Sequence, residues 1–217
     1  MPQQQPGALP ERAREAGDVD EPLRRVLDWY LHAARNAARH LPPGDRTLPA
    51  EPVPDDVTVP EFADAEDAVG WFETELPNLM AAVRAAAANG RPGHAWRIAA
   101  VLVFFFDFHV PGPAWADVHR IAAESARRDH EPQEEGRALN HLAEVHARLG
   151  ELDAAVARNT EALALARETG DRDLEGYVLA DLGTAYFRLG EYAESTRCYN
   201  QALAIARERG DRRLEAE

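Results

Sequence analysis

Few side chains in this sequence stand at spacings that chemistry requires. The nearest approach to a metal pattern is His141-Leu142-Ala143-Glu144-Val145-His146. On a helix His141 and Glu144 share a face at i, i+3, while His146, five residues on, points elsewhere. The run is not H-E-x-x-H, and no second ligand pair lies near it in sequence. These residues read as structural, with His146 a packing residue, and we expect no metal and no cofactor. Cys198 stands between Arg197 and Tyr199 with no evident His partner. One arginine is thin support for a reactive thiolate, so a buried structural cysteine is expected. No Ser/His/Asp order stands out, no carboxylate pair can be singled out, and no G-x-x-x-x-G-K-[ST] phosphate loop is present. The expectation is a binding protein and not an enzyme.

The most unusual local feature is Phe104-Phe105-Phe106-Asp107-Phe108. A helix with Phe at four of five positions is apolar nearly all round, which calls for burial on more than one side. The first reading is that this cluster docks the N-terminal helices onto the rest. The sharper alternative is a ligand pocket, in which Asp107 would need a partner such as His109 or an arginine.

Composition narrows the partners. The formal charge is −14, and every basic side chain is Arg. That field repels a phosphate backbone, so no direct nucleic-acid binding is expected, and there is no general pull toward anionic lipid. One cysteine permits no internal disulfide, which fits a reducing compartment. The most apolar run, Ala99 to Phe106, is far short of the ~20 residues of a membrane helix. Met1 to Asp20 has no signal-peptide pattern. We expect a cytoplasmic protein.

The elements that must position these residues are helices. Residues 1–20 read as a flexible lead. Glu21 to Leu41 reads as a helix with Leu23, Val26, Leu27, Tyr30, Leu31 and Ala34 on one face. Residues 42–60 hold six prolines and read as an extended linker. Asp64 to Ala88 reads as one or two helices, with Pro77 a kink or new start. Together 21–94 form an N-terminal helical segment, expected to pack on the first of the repeats that begin at residue 95.

From residue 95 the chain repeats. Laying 135–174 over 175–214 without gaps gives 18 identities in 40, and a weaker copy, 95–134, fits the same register. The shared text is E-G-x-x-L-x-x-L, R-L-G-E and A-L-A-x-A-R-E-x-G-D-R-x-L. Arg127, Arg167 and Arg207 align. Each copy reads as a helical hairpin. In the middle one Leu139, Leu142, Ala143 and His146 line the first helix. Leu152, Ala155, Val156, Asn159, Ala162, Leu163 and Ala166 line the second. Gly170 can take the left-handed stop, and Asp171 can cap the next helix. Small residues, Ala143, Ala155, Ala162, Gly183 and Ala202, allow close helix approach.

The sets Leu142-Ala143…His146…Gly150…Ala155…Ala162-Leu163 and Leu182-Gly183…Tyr186…Gly190…Tyr192…Tyr199…Ala202-Leu203 resemble the tetratricopeptide repeat. The match departs at Ser195, where that family prefers Ala, and through the first copy. The 40-residue form, with Glu11–Glu15, Leu23–His32 and Trp71-Phe72-Glu73-Thr74-Glu75-Leu76-Pro77-Asn78-Leu79 upstream, resembles the C-terminal sensor region of AfsR/SARP-like bacterial STAND transcriptional regulators. This resemblance implies an all-α, right-handed superhelical array of antiparallel hairpins. It also implies an interaction or sensor role, with a freestanding scaffold or dimerisation unit as the alternative.

In such an array the first helix of each hairpin lines a concave face. By register that face holds Arg97, Ala100, Phe104, Asp107, Arg137, Asn140, Glu144, Arg148, Tyr177, Ala180, Thr184 and Arg188, a mixture that suits a protein or peptide partner, or a small ligand. The carboxylate-clamp positions hold Asn140, Glu144, Ala180 and Thr184, so chaperone-tail binding is not expected. At the C-terminal end, 211–217 reads as the start of a further first helix that is only begun at Glu217. Two explanations are open: the chain is a piece of a longer array, or two chains stack through this end by Tyr199 and Leu203, a weak self-association that Leu203→Glu would reduce.

Overall fold

The computed structural model describes residues 11–41, 52–106 and 113–210, with only the backbone of residues 11–19, 104, 106 and 113. Among the described residues there are eight helices and no strand. They are α1 (Glu11–Ala38), α2 (Ala65–Ala88), α3 (Pro92–Phe106), α4 (Pro113–Arg128), α5 (Pro132–Leu149), α6 (Leu152–Thr169), α7 (Arg172–Leu189) and α8 (Tyr192–Arg209). No helix among these residues is long and apolar enough to cross a membrane.

The first helix begins at Glu11, ten residues before the start expected at Glu21. Glu11 to Ala16 is built of strong helix formers, and Pro22 is carried inside the helix. Leu27, Leu31 and Ala34 are buried as the periodicity requires, and Leu23 and Tyr30 pack at the margin. Val26 is the exception at 51% exposed, because it lies one step off the stripe that faces the core. The described part of the proline-rich linker runs along α1. Asn36 donates to the Pro60 carbonyl at 2.6 Å, and Arg24 meets Asp56 at 2.8 Å. Asp28, nearly buried, binds Arg24 on one oxygen and His94 of α3 on the other at 2.8 Å, fastening α1 to the first repeat.

One helix, not two, spans Ala65–Ala88. Asp64 and Asp67 cap its start reciprocally, each carboxylate accepting a backbone N–H near the other. Pro77 costs one hydrogen bond without breaking it, because Phe72, Leu79, Val83 and Ala86 are buried on both sides of the proline. Phe72 stacks on Phe105, with centroids 5.2 Å apart. The N-terminal segment is therefore docked through Phe105 of the phenylalanine cluster, as the first reading supposed, while the other three phenylalanine side chains lie outside the described residues.

The 40-residue frame extends further back than the sequence showed. Left-handed residues recur at Gly90, His130, Gly170 and Gly210, with φ between 60° and 70°. All four stand just beyond the end of an even-numbered helix, so α2 holds the place of a second helix and α1/α2 stands as an earlier, degenerate hairpin before α3/α4, α5/α6 and α7/α8. His130 (φ 60°) is the one non-glycine with positive φ among the described residues. Its side chain makes that conformation costlier than glycine does. His130→Gly is expected to raise stability by about 0.5–1 kcal/mol. An unchanged or lower urea midpoint would contradict the placement of His130 in the frame.

Within the middle hairpin Leu139, Leu142, Ala143, Ala155, Asn159, Ala162 and Ala166 are buried, while Leu152, Val156, Leu163 and His146 are half-buried. Close approach falls where the small residues stand. A Cβ on Gly136 would meet Leu174 at 2.9 Å, and one on Gly183 would meet the Tyr199 ring at 2.9 Å.

Candidate protein-binding face

The shared linker text A-R-E-x-G-D-R joins one hairpin to the next. Arg127 donates to the buried Glu135 from two nitrogens at 2.6 and 2.8 Å. Forty residues on, Arg167 donates to the buried Glu175 at 2.9 Å, and Arg172 takes its second oxygen at 2.6 Å. Burial alone would push the Glu175 carboxyl up. The bonds from Arg167 and Arg172 outweigh it and hold the group below its ordinary range. This ladder of arginine–glutamate joints fixes each hairpin against the next. Sequence reading aligned both partners of the ladder without pairing them. The signal was a constant spacing of eight across each left-handed turn.

With the hairpins fixed in this way, α3 touches α5 and α5 touches α7. Apart from Asp107, the residues expected on the binding face lie along these helices, and several are employed in holding the array. Arg137 binds the carboxylate of Asp171, which also caps α7 through the Leu174 N–H. Asn140 donates to the buried Asn159 of α6 at 3.0 Å and to Asp181 of α7 at 2.6 Å. Arg188 donates to the Ala147 carbonyl at the end of α5 at 2.8 Å. Glu144 and Arg148 pair along α5, and the Arg148 guanidinium lies 5.8 Å from the Trp115 ring centre. Thr184 is exposed and shares a hydrogen bond with the Tyr199 hydroxyl at 2.9 Å. Tyr177 is half-buried against Leu179, Ala180 and their neighbours.

In the first copy Arg97 is half-buried, its guanidinium 4.5 Å from the Trp96 ring centre. Phe104 lies in α3, with its side chain outside the described residues, and Asp107 lies outside them altogether. Tyr199 and Leu203, the self-association candidates, are both half-buried on α8. Ser195, where the repeat family prefers Ala, is buried and donates to the Gly183 carbonyl at 2.9 Å, so the departure is a hydrogen bond between α8 and α7.

The histidines of the would-be metal run have other employment. His146 meets Glu151 at 2.6 Å across the turn. The His141 ring lies tilted against the fully buried His119, centroids 5.3 Å apart, and His119 is itself 5.6 Å from Trp115. Burial and the neighbouring His141 hold His119 well below the ordinary imidazole value, so it is neutral. Cys198 is buried, and burial pushes its thiol up, the setting of a structural cysteine. Among the described residues no group of three or more His, Cys, Asp or Glu is placed to hold a metal ion. The arrangement offers a surface across α5 and α7 with charged, hydroxyl and aromatic groups side by side, which suits the binding of another chain.

Residues 134–208 match the family model described as tetratricopeptide repeat. No curated protein matches the chain. Among solved structures, the chain resembles a Signal Transduction ATPase with Numerous Domains (STAND) protein with a tetratricopeptide repeat sensor from Pyrococcus horikoshii, with 19% identity, a TM-score of 0.51 and 69% of this chain covered. The chain spans 25% of the length of that protein. A putative kinesin light chain of Podosopora anserina with nearly identical tetratricopeptide-like repeats is similar at 15% identity and a TM-score of 0.33, over 63% of this chain and 77% of that one. Residues 134–208 thus match the tetratricopeptide-repeat pattern, and the fold of the chain resembles that of a STAND protein with a tetratricopeptide repeat sensor.

Proposed function

We propose that this chain is the partner-sensing part of a bacterial transcriptional regulator, binding a protein or peptide on the surface shared by α5 and α7. The observation that carries the reading is that surface. Glu144, Arg148, Tyr177 and Thr184 lie on two adjoining first helices, and the packing leaves each at least partly open to solvent. The likeness in fold to a STAND protein with a tetratricopeptide sensor supports the regulatory half of the proposal. Each hairpin touches its neighbours, so a partner that favours one curvature of the array shifts the whole of it. The role assigned is binding and not catalysis.

The structure guides the choice of test. Arg137, Asn140 and Arg188 hold neighbouring elements, so their loss would disturb the array itself. The combined variant Glu144→Ala/Arg148→Ala/Tyr177→Ala removes face groups that do less of this. It is expected to lose capture of the partner from cell extract about tenfold or more while keeping its helical content, as central contacts of an interface do. Undiminished capture by this variant would sink the proposal.

A further inference from the structure

The repeated text R-L-G-E closes the turns of consecutive hairpins, at Arg148-Leu149-Gly150-Glu151 and at Arg188-Leu189-Gly190-Glu191. The glycines are explained, since both take φ 82°. The leucines fill no core: Leu149 is 43% exposed and Leu189 37%. Beside them Phe187 is 60% exposed and Tyr192 64%, their rings edge to face with centroids 5.7 Å apart. Arg188 reaches from the second turn to the Ala147 carbonyl at 2.8 Å, so the two turns form one continuous edge.

This apolar surface amounts to roughly 300–400 Å². A patch of that size on a monomer is often an interaction site. It falls short of the ~800 Å² that each partner gives to a stable interface, so the contact it makes is weak. The charges around it are complementary to themselves. Among the described residues neither Arg188 nor Glu191 forms an ion pair, and Glu191, at the start of α8, makes no capping bond with its side chain. In a two-fold contact residue i meets j and j meets i. One chain's Arg188 then meets the other's Glu191 twice, around an apolar centre.

We propose that this turn edge is a weak, two-fold self-association surface whose occupant is a second copy of the chain, with Phe187, Leu189, Tyr192 and Leu149 at its centre and reciprocal Arg188–Glu191 pairs at its rim. This places the contact at the turns and not at Tyr199 and Leu203, which are half-buried on α8. It is independent of what binds across α5 and α7.

The test is sedimentation velocity of the whole chain over a wide concentration range. It is run at about 0.15 M salt, where repulsion between two chains of −14 is screened beyond ~8 Å. The wild type is expected to sediment faster as concentration rises. Phe187→Ser abolishes this, and Glu191→Arg raises the dissociation constant by about tenfold. Leu203→Glu leaves it unchanged. The Glu191 side chain makes no capping bond, so Glu191→Arg separates a lost contact from a disturbed array. A wild type that stays monomeric throughout overturns the proposal. So does association that survives Phe187→Ser, or that Glu191→Arg leaves as tight as in the wild type.

Discussion

Replacing Gly183 by valine is expected to cost on the order of 3 kcal/mol of stability. A Cβ at this position would stand 2.9 Å from two carbons of the Tyr199 ring, inside any distance real contacts reach. The ring cannot swing aside cheaply, because its hydroxyl bonds to Thr184 and the neighbouring Ser195 bonds to the Gly183 carbonyl. Even Gly183→Ala should destabilise, although alanine in a helix is otherwise better than glycine by roughly 1 kcal/mol. The sign should reverse once the ring is gone: in a Tyr199→Ala background, Gly183→Ala should stabilise. Urea denaturation of the four proteins in this cycle measures it. If Gly183→Ala is stabilising with Tyr199 present, the close approach of α7 and α8 is wrong. The equivalent pair one repeat earlier is Ala143 and Asn159, so the two hairpins trade volume between helices at a fixed spacing.

The second large effect is at the joint between hairpins. Glu175→Ala is expected to cost about 2 kcal/mol at neutral pH, since hydrogen bonds to a charged group contribute roughly 1.5–3 kcal/mol. The effect should depend on pH, and its sign is set by the direction of the shift. Arg167 and Arg172 hold the folded carboxyl below its ordinary range. The unfolded chain therefore takes up the proton first as pH falls. The stabilisation is complete above the ordinary carboxylate range and is lost as pH drops through the lower, folded value. The gap between wild type and Glu175→Ala should narrow in that acid window. Urea midpoints that differ by the same amount at neutral and acid pH would contradict the joint.

Much of this fold was legible in the sequence, for a physical reason. A 40-residue period repeats apolar positions, turn glycines and close-approach residues together, so one reading was reinforced in every copy. Leu139, Leu142, Ala143, Ala162 and Gly183 fell where expected. Three features escaped it. The frame reaches back to Gly90, but α1 and α2 are separated by a long proline-rich linker where α5/α6 and α7/α8 have a tight turn, and His130 hides one of the period's glycines. A second is the use of the face residues. Register places Arg137, Asn140 and Arg188 on the right helices, but cannot say that Asp171, Asp181 and the Ala147 carbonyl will claim them, since those contacts join separate hairpins. The exposed edge of Phe187 and Tyr192 was hidden for a similar reason. Their residue types look like core, and only the packing shows which side of them is covered.

The most direct test of the binding face is photo-crosslinking in cell extract. A photoreactive amino acid is placed at Thr184, on α7 within the face, or at Thr196, exposed on α8. Both sites are solvent-exposed, so both variants should fold alike. The proposed function predicts one discrete adduct from Thr184 that is absent from Thr196, and its loss in the Glu144→Ala/Arg148→Ala/Tyr177→Ala background. An adduct formed from Thr196 alone, or equally from both positions, would contradict it.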